Sequence, residues 1–242
     1  MIKIKNISKA FGDFVVLKDV NLSILEGETL VILGKSGTGK SVLLKIIVGL
    51  LEPDSGSLYV NNENIIELNI KQLNQIRKKI GFLFQNSALY DSMSVRENLL
   101  FALRDVKSIS SKEKQTKVEK YLDAVLLLDA MDKMPSELSG GMRKRVALAR
   151  ALVTEPAIIL YDEPTTGLDP ITTREISYLI ESVQEKFNLT SIVVTHDLEC
   201  ARIVSDNVAV LHNGEINFYG KFNELDTSDV HIVKDFLGKN NI

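Results

Sequence analysis

Residues 34–41 (GKSGTGKS) combine the residue types that bind phosphate, at the spacing G-x-x-x-x-G-K-[ST]. Glycines let the backbone turn tightly around an anion, and the start of a helix adds N–H donors and the positive end of its dipole. Lys40 can then reach the β- and γ-phosphates of a nucleoside triphosphate, and the Ser41 hydroxyl can ligate Mg²⁺. The alternative is a glycine-rich turn that binds nothing. An apolar run before the loop and a helical pattern after it favour the nucleotide site.

Two acidic residues, Asp162 and Glu163, follow the apolar run of residues 158–161. In a phosphate-loop protein, the first acid at such a strand end would hold Mg²⁺ through water, and the second would polarise the attacking water. Packing alone rarely places two acids there, because ionised carboxylates are unfavourable in a low dielectric. The alternative is a strand end that simply meets solvent. We predict that the pair belongs to the nucleotide site.

Residues 138–142 (LSGGM) are a second candidate anion site, at the start of a predicted helix. The Ser139 hydroxyl can cap this helix, and Gly140 and Gly141 leave the N–H groups at its start unobstructed. Taken alone, the stretch is equally well read as an ordinary helix cap. Together with the distant phosphate loop, it predicts that one ATP is bound between two different surfaces.

The composition limits the class of protein. The 242 residues suffice for one domain with an inserted lobe, and 29 Lys+Arg against 32 Asp+Glu give a net charge of −3, which does not favour nucleic acid as a partner. No apolar run approaches the roughly 18 residues of a membrane helix, and the N-terminus lacks the apolar block of a signal peptide. Cys200 is the only cysteine, so we expect no intrachain disulfide and a buried thiol. These features are typical of a soluble intracellular protein.

Hydrophobic periodicity predicts strands and helices that alternate on both sides of an all-helical block, which is typical of a parallel α/β core with an inserted lobe. The lobe helix at 112–128 should bury Val118, Leu122, Val125 and Leu126. We expect a hairpin turn near residues 213–214. The predicted strands are 2–7, 14–24, 29–33, 57–60, 80–84, 157–161, 191–195 and 208–211, and the predicted helices are 41–50, 95–103, 112–128, 139–153, 170–187, 198–204 and 229–237.

Together these motifs resemble the nucleotide-binding subunit of an ABC transporter along essentially the whole chain. Residues 138–142 resemble its signature motif, residues 162–163 its Walker B pair and residues 167–169 (GLD) its D-loop. Gln85 resembles the glutamine of the Q-loop, and His196 resembles the switch histidine. The resemblance implies the P-loop NTPase fold of ABC ATPases, with a RecA-like core, an antiparallel β subdomain and an inserted α-helical subdomain. We expect a single domain at 1–242, in which the core and β subdomain take up 1–85 and 156–242 and the α-helical subdomain about 86–155.

The resemblance also implies that two identical chains pair head to tail around two ATP molecules. Each site would combine the phosphate loop of one chain with residues 139–141 of the other, and Asp169 would couple the two halves. Val42 stands where many relatives have threonine, so only its backbone N–H could meet the α-phosphate. The catalytic residues would be Lys40, Gln85, Glu163 and His196, and the Mg²⁺ ligands Ser41, Gln85 and Asp162. The residues that bind ATP would be Phe11 and Val16 near the adenine, with Gly34, Ser36, Gly37, Thr38, Gly39, Lys40, Ser41, Val42, Gln85, Ser139, Gly140, Gly141 and Asp169.

Residues 85–98, 138–145 and 164–172 show a narrower resemblance, to the ATPases of Mla/Mce-type phospholipid transport systems. It implies a cytoplasmic subunit at the inner face of the cell membrane. Its partners would be a second copy of itself, two copies of an integral-membrane permease, an Mce-domain lipid-binding component and a small regulatory subunit. The permease would dock near Gln85 to Val95, where Leu89, Tyr90 and Met93 are candidate contacts unless they pack within the lobe.

Two other functions remain open from the sequence. One is the ATPase of another ABC system, which imports amino acids or osmolytes or releases lipoproteins. The other is an ABC ATPase of DNA repair or translation without a membrane partner. Such proteins usually have a long coiled coil or two ATPase halves in one chain, and neither is recognisable in these 242 residues.

Overall fold

The computed structural model describes residues 1–228 and Val233. In this part of the chain, ten strands form two sheets, and seven α-helices accompany them. Short 3-10 turns lie at Ile65–Glu67, Leu128–Ala130, Pro135–Glu137 and Phe222–Thr227. The strands are β1 (Ile2–Phe11), β2 (Phe14–Ile24), β3 (Thr29–Leu33), β4 (Ser55–Val60), β5 (Glu63–Asn64), β6 (Ile80–Leu83), β7 (Ile158–Asp162), β8 (Thr190–Thr195), β9 (Asn207–His212) and β10 (Glu215–Gly220), and the helices are α1 (Lys40–Ile47), α2 (Ile70–Arg77), α3 (Val95–Ala102), α4 (Ser111–Ala124), α5 (Gly140–Leu152), α6 (Pro170–Phe187) and α7 (Leu198–Val204).

The larger sheet positions the candidate site. Its six strands run in the order β10-β9-β3-β8-β7-β6, and all neighbours are parallel except β10 and β9. Every residue of β3, β7 and β8 is buried, as expected for strands of a parallel sheet that is covered on both faces. Because these strands are parallel and adjacent in register, the residues that follow them meet at one edge of the sheet.

The smaller sheet is antiparallel, in the order β2-β1-β4-β5. Its apolar side chains, among them Ile2, Ile4 and Ile7, join α1 and one face of the larger sheet in a common core. The predicted strand at 2–7 continues to Phe11, so the hairpin into β2 is tighter than expected. This sheet, the parallel core and the helices α3 to α5 confirm the predicted fold class, whereas the domain boundaries at 85 and 156 stay a prediction.

The all-helical block predicted between β6 and β7 is observed as α3, α4 and α5, but α4 is shorter than predicted. It ends at Ala124, and Leu126 has a φ of 59° and is 75% exposed. The prediction that Leu126 belongs to the buried face was therefore wrong, because the helical period no longer applies once the chain has left the helix. Tyr121 is buried together with the correctly predicted Val118, Leu122 and Val125.

The remaining differences are local. Helix α2 was not predicted from the sequence. It begins with a capping box, in which the side chains of Asn69 and Gln72 each accept a hydrogen bond from the other residue's backbone N–H. Helix α1 stops at Ile47, ahead of a glycine with positive φ at position 49. The hairpin turn at residues 213–214 is observed between β9 and β10. Apart from Val233, the predicted helix at 229–237 lies outside the described residues.

Candidate nucleotide-binding site

The loop at residues 34–41 leaves the buried strand β3 and leads directly into α1. Gly37 and Gly39 have φ values of 81° and 99°, in the left-handed region that favours glycine. A Cβ on Gly39 would lie 2.9 Å from both the carbonyl oxygen and a side-chain methyl of Val16. Glycine is therefore required there both for the conformation and for the close approach of β2.

Lys40 is the first residue of α1 and is only 5% exposed. Its ammonium group donates hydrogen bonds to the carbonyl oxygens of Gly34, at 2.7 Å, and Lys35, at 3.1 Å. It also lies 3.1 Å from the Glu163 carboxylate. The positive charge is thus fixed at the mouth of the loop, where an anionic ligand would be favourable.

Ser41 and Asp162 connect α1 to the end of β7. The Ser41 hydroxyl donates a hydrogen bond to Asp162 Oδ1 at 2.7 Å. Burial raises the pKa of Asp162, the Ser41 hydrogen bond opposes this shift, and the neighbouring Glu163 carboxylate adds to it. Ser41 and Asp162 therefore present oxygen atoms that could ligate a cation. The negative charge of Asp162 is poorly solvated.

Glu163 follows β7 with a φ of 49°, which is unusual for a residue with a side chain. Its N–H donates to the carbonyl oxygen of Val194 at 2.9 Å, which ties the turn to β8. Besides Lys40, its carboxylate contacts His196 Nδ1 at 2.8 Å and accepts a hydrogen bond from the Thr166 hydroxyl at 3.2 Å. The structure thus brings together three of the four predicted catalytic side chains.

A cleft of about 270 Å³ opens beside these groups. Gln85, which follows β6 and is exposed, also lines this cleft. Gly34 and Thr38 belong to the loop without lining the cleft, and the Thr38 hydroxyl donates to the carbonyl oxygen of Lys35 at 2.9 Å. Phe11 lies at the end of β1, 50% exposed, and is also not among the lining residues. Those residues are Val16, Ser36, Gly37, Gly39, Lys40, Ser41, Val42, Gln85 and Glu163.

The second predicted anion site lies elsewhere on the chain. Ser139 caps α5 by accepting a hydrogen bond from the Met142 N–H at 3.2 Å, and Gly140 and Gly141 begin that helix. Asp169 caps α6 and accepts a bond from the Thr172 hydroxyl, which lowers its pKa. None of these residues lines the cleft, and Gly140 and Gly141 lie against Leu168 and Thr172 instead.

Lys144 contacts the site, although it was not among the residues predicted from the sequence. It lies on α5, is 6% exposed, and donates hydrogen bonds to the carbonyl oxygens of Gln85 and Glu163. The available signal was its position, because it shares the spacing i, i+3, i+4, i+7 with the buried Ala147, Leu148 and Ala151. An ionisable residue on an otherwise apolar stripe indicates a specific partner.

Two further features bear on the sequence analysis, the cysteine and the length of the apolar helices. Cys200 is buried in α7, as expected, and burial raises the pKa of its thiol to about 12. Over residues 1–228, no α-helix combines the length and the apolar character that crossing a bilayer requires.

A phosphate loop after one strand of a parallel sheet, with an acidic pair at the end of another strand, defines the chain as a P-loop nucleoside triphosphatase. Residues 17–166 match the model of the family described as ABC transporter. The chain belongs to this family as an ATP-binding subunit, and its enzymatic activity is ATP hydrolysis. The narrower similarity to the ATPases of Mla/Mce-type systems also stands.

Known relatives span several transport systems. The chain is 43% identical, over 98% of its length and 68% of the other, to the "Probable ribonucleotide transport ATP-binding protein mkl" of Mycobacterium leprae. It is 38% identical, over 100% of its length and 75% of the other, to the "Methionine import ATP-binding protein MetN" of Clostridioides difficile. The chain thus spans about two thirds of the mycobacterial relative. A solved structure, described as a dimeric post-hydrolysis state of the ATP-binding cassette MJ0796 bound to ADP and Pi, superposes with a TM-score of 0.81 at 38% identity over 92% of this chain and 99% of that one.

Proposed function

We propose that the chain is the ATPase subunit that powers phospholipid transport by an Mla/Mce-type ABC transporter. One observation supports the ATPase mechanism above the others. Lys40, Ser41 and Glu163 line one cleft and Asp162 accepts a hydrogen bond from Ser41 beside it, whereas the helix start at residues 139–141 is not among the lining residues. Each copy therefore holds one part of a complete site.

The residues at the cleft have distinct proposed roles. Lys40 neutralises phosphate charge, and the loop N–H groups bind the phosphate oxygens. Glu163 orients and deprotonates the attacking water, while His196 contacts the γ-phosphate. Gln85, which lines the same cleft, would take part in catalysis as a ligand of Mg²⁺. Phosphoryl transfer depends on such positioning and charge stabilisation more than on covalent chemistry, which suits a site that is completed by a partner.

The donor set fits Mg²⁺. This ion prefers oxygen ligands, and Ser41 and Asp162 already present two oxygens 2.7 Å apart. Burial raises the pKa of Asp162, as expected of a carboxylate that a cation would stabilise. Ser41 and Gln85 would ligate the ion, and Asp162 would hold it through water. When bound, Mg²⁺ would supply neutralisation of the charge on the β- and γ-phosphates.

We propose a homodimer in which two ATP molecules lie between the copies. Ser139, Gly140 and Gly141 of one copy bind the nucleotide held by the loop of the other, through the hydroxyl, the free N–H groups and the dipole of α5. Asp169 couples the two halves from the start of α6, and Phe11 stacks on the adenine beside Val16. The similarity to the dimeric cassette MJ0796 supports this arrangement.

ATP contacts favour the closed pair and hydrolysis removes them, so the output is mechanical. Two permease copies would receive it near Gln85 to Val95. Tyr90 is exposed there, while Leu89 and Met93 are half-buried, and Leu89 also packs against the core of the lobe. The ATPase would be cytoplasmic, on the inner face of the cell membrane, with an Mce-domain component and a small regulatory subunit as further partners.

Co-purification tests the transported substrate. The tagged chain is expressed in its native host, extracted from membranes in mild detergent, and its partners and bound lipids are identified by mass spectrometry. We expect an integral-membrane permease, an Mce-domain protein and enrichment of phospholipid over a tagged Lys40→Ala control prepared in parallel. A complex with a solute-binding protein and no enriched lipid would contradict the phospholipid proposal and leave the ATPase mechanism standing.

A second candidate substrate class is a small polar solute. Relatives at 43% and 38% identity are named for ribonucleotide transport and methionine import. In that case, uptake of a labelled nucleotide or amino acid should fall when the gene is deleted, while the phospholipid composition of the membranes stays unchanged.

A further inference from the structure

Lys144 occupies an unusual position for a lysine. Its side chain is 6% exposed and enters the protein from α5, between the ends of β6 and β7. Its ammonium donates a hydrogen bond to the carbonyl oxygen of Gln85 and another, at 3.3 Å, to that of Glu163. Both acceptors belong to residues with proposed roles in hydrolysis, and both are main-chain atoms.

The charge of Lys144 has no direct counter-ion. None of the ion pairs between described residues includes it. Burial lowers the pKa of its ammonium, and the nearby carboxylates of Glu163 and Asp162 oppose that shift. A buried cation that is bonded only to carbonyl oxygens adds little stability, because its desolvation cost offsets the hydrogen bonds. Its effect is to fix the geometry of the groups that it joins.

The Glu163 turn needs such a constraint. A residue with a side chain at positive φ is strained relative to its relaxed conformation, so the turn persists only where neighbours maintain it. The carbonyl oxygen of Glu163 accepts bonds from the Lys144 ammonium and from the Thr166 N–H, both at 3.3 Å. Without Lys144, the peptide bond that follows Glu163 would lose one of these two donors.

We infer that Lys144 is a positioning residue for ATP hydrolysis, which holds the main chain of Glu163 and Gln85 in the arrangement that aims both side chains at the nucleotide. This inference rests on the proposed roles of those two residues. Lys144 acts from the same helix whose start, Ser139 to Gly141, is proposed to bind the partner copy's ATP. Any shift of α5 on dimer closure therefore reaches both residues through one ammonium group.

Steady-state kinetics of the full chain test the inference. Lys144→Met should lower kcat about 10- to 100-fold, because a displaced base slows the chemical step. The KM for ATP should change by less than about threefold, because no phosphate contact is removed. Lys144→Arg, which keeps the charge and the donors, should stay within about threefold of wild type. Lys112→Met is the matched control, since Lys112 is an exposed lysine of the same lobe with no contact to the site, and it should match wild type.

A double-mutant cycle separates positioning from a general structural effect. If Lys144 acts through Glu163, Lys144→Met should lower the residual turnover of Glu163→Gln by less than about threefold. An equal loss in both backgrounds, or a rise in KM as large as the fall in kcat, would overturn the inference. If circular dichroism shows that Lys144→Met is unfolded, Lys144→Gln replaces it in the cycle. The glutamine side chain is too short to reach both carbonyl oxygens, so the same kinetic outcomes support or overturn the inference. Failure of the proposed function looks different, because Glu163→Gln would then turn over like wild type.

Discussion

Glu163 and Lys40 form a buried ion pair, with Oε1 of the carboxylate 3.1 Å from the ammonium nitrogen. The candidate general base therefore directly contacts the candidate phosphate-binding cation. We expect a γ-phosphate bound at the loop to compete with Glu163 for the same positive charge. This expectation leads to a prediction for each of the two residues.

Glu163→Gln should hydrolyse ATP at least tenfold more slowly, since general-base assistance is worth typically ~10²–10⁴-fold. It should also bind ATP more tightly than wild type, because a neutral amide neither occupies Lys40 nor repels the γ-phosphate. Phosphate release measures the turnover, and a fluorescent ATP analogue measures the affinity. Gel filtration in the presence of ATP measures the fraction of closed dimer. Glu119→Gln, an exposed glutamate on α4, is the control. Wild-type turnover in Glu163→Gln would remove Glu163 as the base.

Lys40→Ala should weaken ATP binding at least tenfold, because the removed charge is desolvated and points into the cleft. Equilibrium binding of the fluorescent analogue is the appropriate measurement, since a loss of turnover alone would not distinguish binding from chemistry. Lys78→Ala, an exposed lysine at the end of α2, should bind like wild type. Retained affinity in Lys40→Ala would mean that the loop is not the main contact for phosphate.

Asp162→Asn should make the nucleotide-free protein more stable while abolishing most Mg²⁺-dependent turnover. Burial raises the pKa of Asp162 in the folded chain, so its stability contribution is present below the ordinary aspartate pKa and is lost as the pH rises through the folded pKa. The advantage of asparagine should therefore be absent at low pH and appear as the pH rises. We therefore expect the Tm of the variant to exceed that of the wild type at pH 7 and to match it at pH 3. Thermal unfolding of both proteins from pH 3 to pH 7.5 measures it, and a variant less stable at pH 7 would contradict the prediction.

Asn98→Ala should destabilise the lobe by about 1–3 kcal/mol, because the part-buried Tyr90 N–H and Met93 carbonyl oxygen lose the hydrogen bonds that the amide makes. Asn98 is fully buried, and its amide bonds the N–H and carbonyl oxygen of Tyr90 and the carbonyl oxygens of Met93 and Ser94. It thereby shapes the segment that we propose for permease docking. Urea unfolding measures the loss, with Asn223→Ala, at an exposed position, as the control. A change below about 0.5 kcal/mol would show that water replaces these bonds.

The parts of the fold that follow from local pattern were predictable. Buried parallel strands such as β3 and β7 read as continuous apolar runs, and the loop after β3 has a fixed spacing of glycines and Lys40. Helix α2 was missed because its mean character is polar and only Ile76 is buried. Leu126 was misplaced because the end of α4 depends on a backbone turn that hydrophobic periodicity does not encode.

The site was predictable in its residue types and less so in its contacts. The phosphate loop has a fixed residue spacing, and Asp162 stands at the end of an apolar run, so their proximity could be expected. Lys144 could not be assigned, because its partners are main-chain oxygens of residues distant in sequence. The position of Ser139 outside the cleft likewise depends on the tertiary structure, and it supports the proposal of a partner copy.

If each ATP site is shared between two copies, mixing two inactive variants should restore activity. Lys40→Ala removes the loop contact, and Gly140→Asp places a carboxylate where the partner's phosphate would lie. A Cβ at Gly140 meets only Leu168, at 3.4 Å, and an acid suits a helix start, so this variant should fold. In a mixed dimer, one site receives both defects and the other receives none.

Each variant alone should show only background ATPase activity, and the equimolar mixture should recover about a quarter of the wild-type rate, because half of the dimers are mixed and each has one intact site. Lys112→Met mixed with Lys40→Ala supplies the reference for a partner with an intact helix start. No recovery in the mixture, or full turnover by a strictly monomeric wild-type chain in analytical ultracentrifugation, would contradict the shared site.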